Sequence, residues 1–526
     1  MSNVENLPQF IEIISNIINN MDNDKLKSFI LVLAKEVSED ERIVFKNKLL
    51  STENNNIDVK SDFINEVNSF IQEFKNKKKK GFLIDSEYND EFRYWYDDYE
   101  DEYIFSDYED SIALIQKAIN FIHKAIDYNC YEIGYMVVEL LYDVVVTDIG
   151  DYQADLEIKD LYLYNILNDY DEYFNDCMFL IYCNNKLDTL YNFYIANNFS
   201  NNVDNILKYN ADLTEFNIFL NDWINYIGEK RNDYFNHNLY YSISLLNDEK
   251  KKIDYIYKYG LFYNNLFIQV LEDNLNSKNE NIFKLGLYAI NNLDGEYKEK
   301  ALILSASYAK LLKKFENMNE LYYDLFCFKP NMVNYLRLRN VTSNYKKEII
   351  EICINNLDKN DLFKNILFLE GRYDYLTKSK IVEGLDDHNL LLPLATLICN
   401  DSKYLDKLLD KLVKYYYSEY SYKTICEDEL RILFKNVTIS CHNNTFTGNE
   451  FNSIANYIKN SIECILMTTI KYNKYKNYDT CSLYISSYGE VQEAIGVYNY
   501  KLDYINEIKN KYPTRRALHE SLDKYI

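Results

Sequence analysis

Apolar residues in this chain recur at steps of three and four, the spacing that lines one side of an α-helix. Ile112, Ile115, Ile119, Ile122 and Ile126 form one such stripe, and segments 10–21, 25–37 and 61–77 have similar patterning. Ser38 and Glu41 stand as a Ser-x-x-Glu capping box ahead of the run 42–50. Residues 1–80 therefore read as a small helical unit. Strict period-two alternation over five or more residues is hard to find, so the pattern predicts a minor sheet at most. Only 12 Gly and 4 Pro occur in 526 residues, and sheet-rich folds spend both on hairpins, bulges and turns. The expected fold is all-α.

Residues 85–110 interrupt the helical pattern. Twelve acids face the single base Arg93, a local charge of −11, with Tyr88, Tyr94, Trp95, Tyr96, Tyr99, Tyr103 and Tyr108 interleaved among them. Self-repulsion favours an extended, loosely ordered stretch, so 81–110 reads as an acidic Tyr-rich linker. Limited proteolysis is expected to cut there first. From 111 to 526 the chain reads as successive helix–turn–helix pairs.

The clearest pair runs over 301–331: a helix at 301–312, a turn at Lys313-Lys314-Phe315, a helix at 317–328, then Pro330-Asn331. Ala306 and Ala309 are small residues where the two helices must approach. Gly371-Arg372-Tyr373 and Tyr131-Glu132-Ile133-Gly134 make similar turns. This order resembles the tetratricopeptide repeat, with Lys313 in place of the turn glycine and Met318 in place of a small residue. The aromatics 131, 315 and 373 follow no 34-residue period. The resemblance thus implies an irregular α-solenoid of tetratricopeptide-like hairpins, preceded by the small N-terminal helical unit. Gly150-Asp151-Tyr152-Gln153-Ala154-Asp155, with Tyr512-Pro513-Thr514-Arg515-Arg516, resembles the helical region accompanying bacterial SWIM-type zinc fingers. The Cys-x-Cys and Cys-x-His elements of that finger are missing, so the resemblance implies no zinc or nucleic-acid role.

The net charge of −24 argues against DNA or RNA, whose binders neutralise phosphates with Lys and Arg. The one basic run, Lys75 to Lys80, reads as a solvated helix end. Tyr, Asn, Ile, Lys and Asp all have A/T-rich codons, so a low-GC genome accounts for the 53 Tyr without any functional meaning. None of the ten Cys forms a CxxC pair. Residues 1–10 carry Glu5 and no base, unlike a signal peptide, and the most apolar stretch, 136–146, is far too short to span a bilayer. The expectation is a cytoplasmic, reduced protein with no membrane segment.

Candidate chemistry is sparse. Cys441-His442 lacks a second close pair for zinc, and Asp148, Asp151, Asp155 and Glu157 lack the alternating spacing of a calcium loop. Nucleophile elbow, phosphate loop, dinucleotide fingerprint and zincin motif are all missing, and His123, His237, His388, His442 and His519 are scattered. No catalytic, metal or cofactor residue is assigned. Tyr94, Trp95, Tyr96, Tyr99 and Tyr103, amphipathic anchors among acids, are the candidate partner-binding residues and suit a basic, partly apolar protein. The leading expectation is a non-enzymatic protein-interaction or scaffold protein. The alternatives are a nucleic-acid-associated or defence-related accessory protein, and an enzyme whose site is assembled from distant helices.

Overall fold

A computed structural model describes residues 7–38, 42, 45, 57–88, 103–197, 202–209, 211–358, 362–378, 388–398, 402–418, 425–443 and 446–526. Tyr94, Trp95, Tyr96 and Tyr99 lie outside these residues, as does the pairing of Ser38 with Glu41. Helices dominate, as the periodicity requires, and the fold is all-α, with one small sheet among the described residues. The chain divides into two compact units, 1–266 and 267–526.

The first unit holds the sheet. β1 (Phe82–Tyr88), β2 (Tyr103–Tyr108), β3 (Val145–Asp148) and β4 (Asp155–Glu157) stand in the order β2-β1-β3-β4. β1 pairs antiparallel with β2, in register Leu83 to Tyr108 through Tyr88 to Tyr103. It pairs parallel with β3. The segment read as a linker therefore carries a strand at each end. Phe82, Ile84 and Ser86 point inward on alternate positions of β1. Phe82 meets Phe74 of helix Ile57–Lys80 at 5.1 Å between ring centroids, and Phe70 of that helix meets Phe121 at 4.9 Å. The basic run forms the last turn of the same helix, where cations oppose the negative end of the helix dipole. There Lys77 pairs with Glu109 at 3.1 Å, and Lys78 with Asp143.

Helix Ser111–Asp127 buries Ile115, Ala118, Phe121, Ile122 and Ala125, with Ile112, Ile119 and Ile126 half-buried beside them. Its small residues allow close approach: a Cβ on Gly134 would sit 2.7 Å from the Ala125 Cβ and 2.8 Å from Leu180 Cδ1.

Helices alone build the second unit within its described residues. Its hairpin of Gly295–Leu311 and Phe315–Phe328 ends close to the sequence-based bounds but starts earlier, at 295 instead of 301 and at 315 instead of 317, and Ala306 and Ala309 are fully buried. Phe315, the turn aromatic, is instead 56 % exposed. Asn331 caps the next helix, Met332–Arg339, by accepting from Asn334 N at 2.9 Å. Helix Tyr478–Ala494 is buried on most of its surface, with Ser482, Ser486 and Ser487 fully enclosed.

The turns ahead of Tyr131, Phe315 and Tyr373 share one geometry, whereas Tyr131-Glu132-Ile133-Gly134, expected as a turn, is the first turn of helix Tyr131–Leu141. Asn129, Lys313 and Gly371 each adopt a left-handed backbone, with φ of 52°, 59° and 82°. In each, the turn residue's N–H donates three residues back and the next N–H five residues back, as in Cys130 N to Ala125 O, Lys314 N to Ala309 O and Arg372 N to Leu367 O, all 2.8 Å. These are Schellman closures, which satisfy the last free carbonyls of a helix. Asn165, Asn185, Asn473 and Gly496 repeat the same bond pair.

Candidate functional site

Three helices of the first unit enclose a cleft of about 510 Å³. Tyr131 opens helix Tyr131–Leu141, while Phe179, Tyr182 and Cys183 close the last turn of helix Tyr170–Cys183. Helix Leu213–Lys230 contributes Glu215, Ile218, Phe219 and Asp222. Positions 215, 218, 219 and 222 are i, i+3, i+4 and i+7, so one helix face presents two carboxylates with Ile and Phe between them. Asp212 caps this helix, accepting from Thr214 N at 2.8 Å and Glu215 N at 3.1 Å, and adds a third carboxylate to the rim.

The floor is aromatic. Phe179 and Phe219 are almost wholly buried, Tyr131 meets Phe179 edge-on at 5.5 Å, and Tyr182 meets Phe219 edge-on at 4.9 Å. Asp212, Glu215 and Asp222 are exposed, and Ile218 is 62 % exposed. Among the described residues, no basic side chain forms an ion pair with Glu215 or Asp222. Burial pushes the Tyr182 hydroxyl up to about 12, reinforced by Cys183, Glu215 and Asp212, and burial together with Glu215 pushes the Cys183 thiol up to about 12. The cleft is thus an apolar floor under a negative rim. The helical spacing of Glu215, Ile218, Phe219 and Asp222 was the available sequence signal, since an amphipathic face does not usually set bulky apolar residues between two unpaired acids.

Behind the floor lies a charged centre. Phe179 stacks on Tyr209 at 4.6 Å with planes 15° apart, and the Tyr209 hydroxyl donates to the buried Asp176 Oδ1 at 2.6 Å. Asp176 Oδ2 lies 3.1 Å from His123 Nδ1, with Glu172 at 3.5 Å and Asp127 at 3.9 Å from the same ring. The Asp176 hydrogen bond, outweighing partial burial and aided by the three carboxylates, raises His123 to about 9. At neutral pH this imidazole is therefore protonated. It serves as a counter-ion to Asp176 and has no lone pair with which to act as a general base.

Of the predicted partner-binding residues only Tyr103 lies among the described residues, and it does not line this cleft. Tyr103 lies on β2 opposite Tyr88, its ring 5.6 Å from Tyr88 and 4.9 Å from Tyr152, inside an aromatic group that continues to Phe105 and Tyr164. Asp148, Asp151 and Asp155 organise the loop that follows β3. Asp148 is buried and accepts from Ser86 Oγ at 2.6 Å, Gln153 N at 2.8 Å and Gly150 N at 3.2 Å. Asp151 accepts from Tyr88 N, and Asp155 from Thr147 Oγ1. Cys441 Sγ donates to Leu369 O, and His442 Nδ1 donates to Thr396 O at 2.9 Å. Among the described residues no group of three or more His, Cys, Asp or Glu is arranged to hold a metal, and no helix is long and apolar enough to cross a membrane. No protein-family model matches the chain, and no curated protein sequence is similar to it.

Proposed function

We propose that this is a non-enzymatic protein-interaction or scaffold protein of the cytoplasm, built on helical repeats, which docks a basic protein partner through the cleft at Glu215 and Asp222. The observation that supports this reading is an aromatic floor beneath a rim of carboxylates, of which Glu215 and Asp222 form no ion pair among the described residues. Apolar burial supplies affinity, and the rim selects charge. The net charge of −24 adds long-range attraction for a cationic partner and repels nucleic acid.

A photo-cross-linking residue at Ile218 in the full chain tests this in the native host. The expected result is a cross-link to one Lys- or Arg-rich segment that disappears when Glu215 and Asp222 are both changed to Lys. Cross-linking that survives this reversal unchanged would overturn the proposal.

A further inference from the structure

We infer that the cleft receives arginine side chains from an extended segment of Arg-x-Arg character, an inference that rests on the docking reading above. The shape favours a long side chain over a compact ammonium ion. Phe179 and Phe219 lie almost wholly buried at the bottom, while Glu215 and Asp222 are exposed at the edge. An arginine satisfies both levels at once, because its methylene stem lies on apolar surface while its head reaches the polar boundary.

The aromatic walls favour guanidinium over ammonium. A planar, weakly hydrated guanidinium stacks on a tyrosine ring and still directs its fork of N–H donors at a carboxylate. Lysine must give up a tightly held hydration shell to occupy the same position. Tyr131 and Tyr182 are half-buried and line the cleft on separate helices, so each offers a ring beside the rim.

Spacing points to two arginines. Glu215 and Asp222 are seven residues apart on one helix, about 10.5 Å along its axis at 1.5 Å per residue. Residues i and i+2 of an extended chain project from the same side at about 6.6–6.8 Å. Two flexible side chains splay across the remaining difference. The volume of about 510 Å³ falls within the range of roughly 300–1,000 Å³ usual for ligand clefts and accommodates both.

The test uses the full chain and three fluorescent peptides that differ only at two positions: Arg-x-Arg, Lys-x-Lys and citrulline-x-citrulline. Citrulline keeps the planar shape and removes the charge. Anisotropy titrations should show the arginine peptide binding about tenfold tighter than the lysine peptide, a difference near 1.4 kcal/mol, with no binding of the citrulline peptide. Glu215→Gln with Asp222→Asn should weaken the arginine peptide by about tenfold or more, by the same conversion. Glu348→Gln with Glu351→Gln removes the same charge from exposed positions of the other unit and should leave binding unchanged. All four changes are at exposed residues, and the helical circular dichroism of each variant checks that it is folded.

Equal binding of arginine and citrulline peptides, or equal losses in the two double variants, overturns the inference. If no peptide binds while the Ile218 cross-link is still abolished by charge reversal, the arginine inference falls and the docking reading stands. If the cross-link itself is indifferent to reversal, the docking reading falls.

Discussion

His123 makes the stability of the first unit depend on pH in a direction that can be computed. Its folded value of about 9 stands above the ordinary 6.5, a difference worth roughly 3.4 kcal/mol at 1.36 kcal/mol per unit. The side chain is 51 % exposed, so solvent screening reduces this to roughly 1–2 kcal/mol. Because the folded value is raised, the stabilisation is complete below about 6.5 and disappears as pH rises through about 9. For a unit of this size that is roughly 2–4 °C in Tm. Trp95→Phe leaves the buried Trp223 as the only tryptophan, and so makes fluorescence a probe of the first unit. In that background, melting curves should fall more steeply between pH 6.5 and 9.5 than those of a variant that also carries His123→Gln. Taking the difference removes the other groups that titrate in the same range. Selective ¹³C-histidine NMR should place the His123 midpoint near 9, and Asp176→Asn should pull it towards 6.5 by removing the largest cause of the shift. Parallel melting curves, or a midpoint below 7 in the native protein, would refute the reasoning.

Three further substitutions probe the framework by calorimetry. Gly150→Ala puts a Cβ 2.1 Å from Ser86 O and 2.2 Å from Ser86 N, both backbone atoms, and should cost about 2–3 kcal/mol, the upper part of the overpacking range. Glu370→Gln leaves the largely buried guanidinium of Arg339 without its counter-charge and should cost about 3–5 kcal/mol, with no such loss when Arg339→Met is added. Lys313→Gly relieves a left-handed lysine and should raise stability by about 0.5–1 kcal/mol, since the backbone strain removed exceeds the added unfolded-state entropy.

The all-α class was legible because helical spacing and scarce Gly and Pro agree, and the 295–328 hairpin was legible because Ala306 and Ala309 mark its closest approach. The sheet was not. On β1 the inward positions are Phe82, Ile84 and Ser86, and the third is polar because it hydrogen-bonds the buried Asp148 from 62 residues away. A reader of sequence sees Ser86 among acids and takes a solvated stretch. Acids flank Tyr103 in the sequence, while its half-buried ring packs on Tyr88 and Tyr152, contacts created by strand pairing and by the folded 148–154 loop. The cleft draws on three helices, so only the Glu215–Asp222 face was local enough to read. The pairing of His123 with Asp176 spans 53 positions and carries no local signal.

Among the described residues, twelve non-glycine positions hold a left-handed backbone against four glycines, and asparagine and lysine occupy several helix stops where glycine would fit with less strain. The genetic code sets how far glycine lies from these residues. Changing AAT or AAA into a glycine codon needs two A-to-G replacements. Each such stop holds backbone strain on the order of 1 kcal/mol that glycine would not, so the fold could reach a stability above the protein's own. A recoded gene carrying glycine at these stops would release that reserve without touching a single side chain of the core.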